Sequence, residues 1–204
     1  MSPQLANKSF TICFGAKLNY IRPSKYYLIY NQGNDKIGNN LSIYFIKTKE
    51  NITNLCIDFY GGGICTSLNN INTDNWNHYA IVFDNSTSPY KLINAVKFYI
   101  NYKLSSNQGP DKLTNKFIAK GRVTIGQGTN VPAAGYWQQG TGRNLLNTTN
   151  FYGELKELTV YNLVFNQNMI TNLKNNSKPK ICNANNNLLL YIPMNLNDKS
   201  IYYV

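Results

Sequence analysis

The sequence predicts an all-β protein: an antiparallel two-sheet sandwich with one short helix near residues 166–174. Three observations carry this expectation. Apolar residues recur at period 2 along one segment after another. Clusters of Asn, Gly and Pro punctuate those segments as turns. Only one stretch switches to helical spacing.

The first segment sets the pattern. Phe10, Ile12, Phe14, Ala16 and Leu18 fall on one face of a strand, with Thr11, Gly15 and Lys17 on the other. A shorter strand is expected over residues 26–30. Leu41, Ile43 and Phe45 repeat the alternation, as do Leu55, Ile57 and Phe59, with Asp58 facing away. Tyr79, Ile81 and Phe83 follow. Val96, Phe98, Ile100, Tyr102 and Leu104 are expected to face inward, and Lys97, Asn101 and Lys103 outward. Further strands are expected at 123–126, 155–161 and 188–192. Turn signals stand at 31–34, 61–63, 85–89 and 107–110. Met169, Ile170 and Leu173 after Asn166 predict one or two helical turns on the sandwich edge. Residues 174–187, rich in Asn and Lys, read as a linker to a terminal strand at 188–193, which completes one domain spanning 1–204. Residues 130–150, rich in Gly, Gln, Asn and Thr, read as a long loop.

Composition narrows the function classes. Charged residues make up 14% of the 204, below the ~25% of ordinary soluble domains. About one residue in six is Asn, and Asn, Lys, Ile and Tyr together match A/T-rich codons better than any one function. The net charge is +11, mostly lysine, since Arg22, Arg122 and Arg143 are the only arginines. The lysines form no dense run, so they read as a solvated surface. The scarcity of arginine forks speaks against specific nucleic-acid recognition. No apolar run reaches the ~20 residues of a membrane span. No basic region followed by an apolar stretch opens the chain, so no signal peptide is read. The expectation is a cytoplasmic product or a virion component, extracellular only for a trimmed chain. Cys13, Cys56, Cys65 and Cys182 include no Cys-x-x-Cys pair. Buried free thiols are the default without a secretory signal; a hairpin at 61–63 would bring Cys56 and Cys65 near each other, where a disulfide is the alternative.

Three segments together resemble the laminin G-like, concanavalin A-like lectin–glucanase superfamily. They are Trp76-Asn77-His78-Tyr79-Ala80-Ile81-Val82-Phe83-Asp84, then Val96 to Leu104 with Tyr102 where that family has glycine, then residues 151–173 with Gly153-Glu154-Leu155, Leu158, Val160-Tyr161-Asn162 and Met169-Ile170. Thr124-Ile125-Gly126 fits the strand before the last of these. The resemblance implies a jelly-roll sandwich. A segment such as 188–194 usually opens that fold, so the chain resembles a permuted member, or one whose last strand is donated to a neighbouring subunit.

No catalytic set is expected. His78, the only histidine, has no nucleophile or metal partner at a useful spacing and reads as a strand residue beside Trp76. Glu154 and Glu157 would point to opposite faces of a regular strand, which does not suit a glycosidase pair. Calcium is common in the resembled family. Asp58, Asp74 and Asp84 are the only candidate ligands, and nine scattered acids argue against a site, so no metal or cofactor is expected. Tyr26, Tyr27, Tyr136 and Trp137 are expected to be exposed aromatics that bind a partner or stack on sugars, with Arg143 on the rim. Two functions follow: a non-enzymatic structural or protein-interaction subunit of a larger assembly, such as a virion, whose partners are other protein subunits; or a carbohydrate-binding lectin module, whose partner is a glycan.

Overall fold

The computed structural model describes residues 3–19, 21–23, 25–33, 41–48, 50–59, 62–87, 91–108, 121–126, 148–149, 151–175, 187–193 and 202–203. Strands in chain order are β1 (Phe10–Leu18), β2 (Tyr26–Gly33), β3 (Leu41–Lys47), β4 (Thr53–Phe59), β5 (Gly62–Ser67), β6 (Asn77–Phe83), β7 (Val96–Ile100), β8 (Lys103–Ser105), β9 (Asn107–Gln108), β10 (Arg122–Ile125), β11 (Thr148–Thr149), β12 (Gly153–Tyr161), β13 (Leu188–Ile192) and β14 (Tyr202–Tyr203). Helix α1 (Leu92–Ala95) precedes β7, and α2 (Gln167–Asn175) follows β12.

The strands form two sheets. The first has the order β14-β13-β12-β1-β6-β7-β8; the second runs β10-β2-β3-β4-β5-β9. Neighbours along both paths pair antiparallel. Off the path, β11 pairs β2 in parallel. The period-2 residues meet between the sheets. Phe10, Phe14, Phe83 and Tyr79 of the first sheet interleave with Phe45 and Phe59 of the second, all fully buried. Across the two sheets the rings pack edge-on or tilted: Phe59 lies 4.8 Å from Phe83, and Phe45 lies 5.3 Å from Tyr79. Such pairs add to the transfer free energy of each side chain, about 1.5–3 kcal/mol when fully buried.

The expected strands are present, with local differences. β2 runs to Gly33, into the turn expected at 31–34, and stays paired with β3 past a bulge between Leu28 and Tyr30. Val96, Phe98 and Ile100 are buried as expected, but Tyr102 and Leu104 do not face the core. The chain turns at Asn101 and Tyr102, both at positive φ (49° and 69°), as a two-residue type I′ hairpin requires. Leu104 emerges on the edge strand 60% exposed. Helix α2 begins where expected: the Asn166 side-chain oxygen accepts the Met169 N–H at 3.0 Å, an N-cap bond. It extends to Asn175, into the expected linker, the rest of which up to residue 186 lies outside the described residues.

Strand β13 lies between β12 and the edge strand β14. Leu190 of β13 faces Val160 of β12, and Leu190 is 1% exposed in the main core. Deleting residues 188–204 removes that side chain and uncovers β12. The expected loss is several kcal/mol, read as a lower urea midpoint; Leu190→Ala alone should cost about 2–5 kcal/mol. An unchanged midpoint for both variants would contradict this packing.

Candidate functional site

Three of the expected binding residues, Tyr136, Trp137 and Arg143, lie outside the described residues, as does Cys182. Of the loop expected at 130–150, residues 148–149 form β11. The expected exposure of Tyr26 and Tyr27 is corrected: they are 7% and 5% exposed. Tyr27 points into the core, and its hydroxyl accepts the Arg22 N–H at 2.8 Å. Tyr26 lies on the outer face of the second sheet, its ring 5.3 Å from Tyr44.

That outer face is itself buried. Leu28, Asn31, Ser42, Tyr44, Asn54 and Asp58 are 8% exposed or less. Loss of hydration holds the Asp58 carboxyl well above the usual carboxylate range, which favours its neutral form and does not suit a calcium ligand. Asp84 instead accepts bonds from the Ser86 N–H and hydroxyl. Among the described residues no group of three metal-ligating side chains is present. Cys56 and Cys65 face each other directly across β4 and β5 and form a disulfide, which corrects the free-thiol default for this pair. The hairpin brings their Cα atoms to 4.1 Å, so register placed them in reach where spacing alone left the choice open. Cys13 is a free, buried thiol pushed up to about 12 by desolvation.

The outer face of the first sheet divides into two halves. On one, Cys13, Ala80, Val82, Tyr99 and Tyr161 are covered by Phe165 and by Ile170 of α2. Thr11 ties this cover down: its hydroxyl donates to the Leu163 carbonyl at 2.6 Å and accepts the Phe165 N–H at 3.1 Å. The other half is open. Here Gly15 on β1 sits between Lys156 on β12 and His78 on β6. With no side chain at Gly15, the Lys156 stem crosses β1; a Cβ there would meet its Cγ at 2.7 Å. The ammonium ends 4.4 Å from the centre of the Trp76 ring, a cation–π contact. His78 stacks on Tyr102 with ring centres 4.4 Å apart. Trp76 is 41% exposed.

The flanking acids complete the patch. Glu154 accepts from Lys17 Nζ at 3.1 Å in an exposed pair. The register of β12 slips beside Cys13 and Gly15, and Glu157 takes a positive φ of 51°. The regular-strand geometry that put Glu157 on the opposite face therefore does not hold; its charge acts on Tyr102 of this patch. Sequence reasoning picked out Trp76, His78 and Tyr102 separately. The sign that they belong together was a glycine amid the polar residues of β1, which gives Lys156 its path.

His78 is held down to about 4, first by burial and then by the Lys156 charge, and its Nδ1 is enclosed without a hydrogen-bond partner. The imidazole is therefore neutral at pH 7. Because the folded value lies below the ordinary 6.5, the unfolded chain binds the proton more readily, and the His78 contribution to stability is lost as pH falls from 6.5 toward 4. An NMR titration of the imidazole should give a midpoint well below 6.5, and Lys156→Met should raise it. A midpoint at 6.5 in both proteins would contradict the arrangement.

No family model matches this chain. No curated protein matches it either. Solved structures do. The chain is similar to a heptameric SAP-like pentraxin from Limulus polyphemus, at 17% identity over 84% of this chain and 71% of that one, with a TM-score of 0.58. It is similar to the CBM40 of a Ruminococcus gnavus IT-sialidase, seen bound to α2,3-sialyllactose, at 14% identity over 82% of this chain and 83% of that one, TM-score 0.53. It is also similar to the enzymatically active domain of tailspike protein 2 from bacteriophage CBA120, at 12% identity and TM-score 0.59, covering 95% of this chain but 28% of that one. At such identities the likeness is one of fold alone: an antiparallel two-sheet jelly-roll sandwich.

Proposed function

We propose that this chain is a non-catalytic recognition module that binds carbohydrate. The observation that carries the proposal is the open half of the first sheet: an indole 41% exposed with the Lys156 ammonium 4.4 Å from its ring centre, on a sandwich whose other face is buried. Rigid aromatic surface with few, placed polar groups suits a sugar ring. The CBM40 neighbour, which is described bound to a sialylated sugar, supports the same reading. On the chemical side, Glu154 is engaged by Lys17, and His78 stacks on Tyr102.

A second reading is a subunit of a larger protein assembly such as a virion, on which Leu104, Tyr152 and Ile93, at 60%, 61% and 45%, are exposed apolar side chains. The residue 130–150 segment, with Tyr136, Trp137 and Arg143, belongs to this reading as its contact surface. The Cys56–Cys65 disulfide favours a virion or extracellular setting over a reducing cytosol.

A glycan microarray probed with the full chain tests the first reading, with reducing-end release assayed on every glycan retained. Expected are retained glycans and no release. Cleavage of a bound glycan would overturn the non-catalytic part. An empty array with a concentration-dependent oligomer in sedimentation would favour the assembly reading.

A further inference from the structure

We infer that the surface formed by Trp76, Lys156, His78 and Tyr102 is a binding site for a neutral pyranose ring. The inference rests on the carbohydrate-binding reading and names both the place and the class of sugar.

The place follows from exposure and order. A tryptophan is usually highly buried, yet Trp76 shows 41% of its surface, beside a sheet whose remaining outer half is sealed by α2. Lys156 is held by its stem in the trough over Gly15, so its donor groups stand at a set position over one face of the indole. A ligand meeting an ordered side chain loses less entropy than one that must order it. Tyr102 is kept in place from two sides: by the His78 ring, and by Gln167 of α2, whose amide donates to the Tyr102 carbonyl at 2.9 Å.

The class follows from local charge. The chain carries +11, but this patch does not share the excess. Lys17 is paired with Glu154, and Glu157 lies close enough to Tyr102 to act on its hydroxyl. Two lysines and two glutamates offset one another, and neutral His78 adds nothing. An anionic sugar would find no net positive charge here to offset the loss of its own hydration. A neutral sugar is served by all of these groups: its C–H face, slightly positive, lies on the indole surface that the Lys156 ammonium leaves exposed, while its hydroxyls donate to carboxylates and accept from the ammonium.

The chain has two tryptophans, Trp76 and Trp137, so its indole N–H resonances separate this patch from the 130–150 segment. Uniformly 15N-labelled full chain is titrated with neutral gluco-, manno- and galacto-oligosaccharides and with α2,3-sialyllactose; Trp76→Phe assigns the two signals. The expected result is a saturable shift of the Trp76 signal with a neutral sugar, at least tenfold tighter than with sialyllactose. Trp76→Ala should weaken that binding at least tenfold and Lys156→Met severalfold, with the melting temperature and the amide spectrum otherwise kept. A shift at Trp137 alone would overturn this inference and leave the carbohydrate-binding reading standing. Tighter binding of sialyllactose at Trp76 would overturn the neutral class. Silence of both signals toward every sugar would overturn both readings together.

Discussion

The packing of six aromatic rings between the sheets sets the geometry on which everything else depends. Phe10, Phe59 and Phe83 form one group, and Phe14, Phe45 and Tyr79 another. Each group joins β1 and β6 of the first sheet to the second sheet. A one-residue slip in any of these strands would turn its rings outward and bring polar residues into the core. The outward residues of the same strands are therefore set as firmly as the inward ones. Gly15 and His78 stand side by side on the outer face because Phe14 and Tyr79 stand together on the inner one.

Much of this frame was legible in the sequence, because period-2 alternation is a local signal. β1 shows it over nine residues, and β3, β4 and β6 over seven each. The capped helix after Asn166 was legible for the same reason, since an Asn followed by apolar residues at helical spacing is a local statement. The second sheet was harder to read. Its outer face mixes Leu28, Ile46, Cys56 and Cys65 with Tyr, Asn, Ser and Asp, which in a strand pattern count as solvent-facing, yet the structure buries them. Tyr26 was misread on that account. Nothing within a strand tells whether its polar side is covered by chain far away in sequence.

The candidate site shows the same division. Trp76 and Tyr102 stood out as individual residues, the first by its match to a family position and the second by standing where that family has glycine. What the sequence could not express was Lys156. It reaches Trp76 across β1, a contact fixed by the register of β12 on β1 and by a bulge at Glu157. The left-handed backbone at Tyr102 is unusual for a bulky residue, and the stacked imidazole and the Gln167 bond help hold it.

The position of β1 has a kinetic consequence. It is a central strand of the first sheet, paired with β6 on one side and with β12 on the other, and Thr11 is tied to Leu163, 152 residues along the chain. The entropy of closing so long a loop must be met before that edge of β1 gains any contact. A nascent chain therefore carries one of its most apolar strands half-paired until the β12 segment has been synthesised. Topologies dominated by such distant pairings fold on the slow side, in milliseconds to seconds. During that interval the bare edge of β1 is the part of the molecule most open to pairing with a second copy.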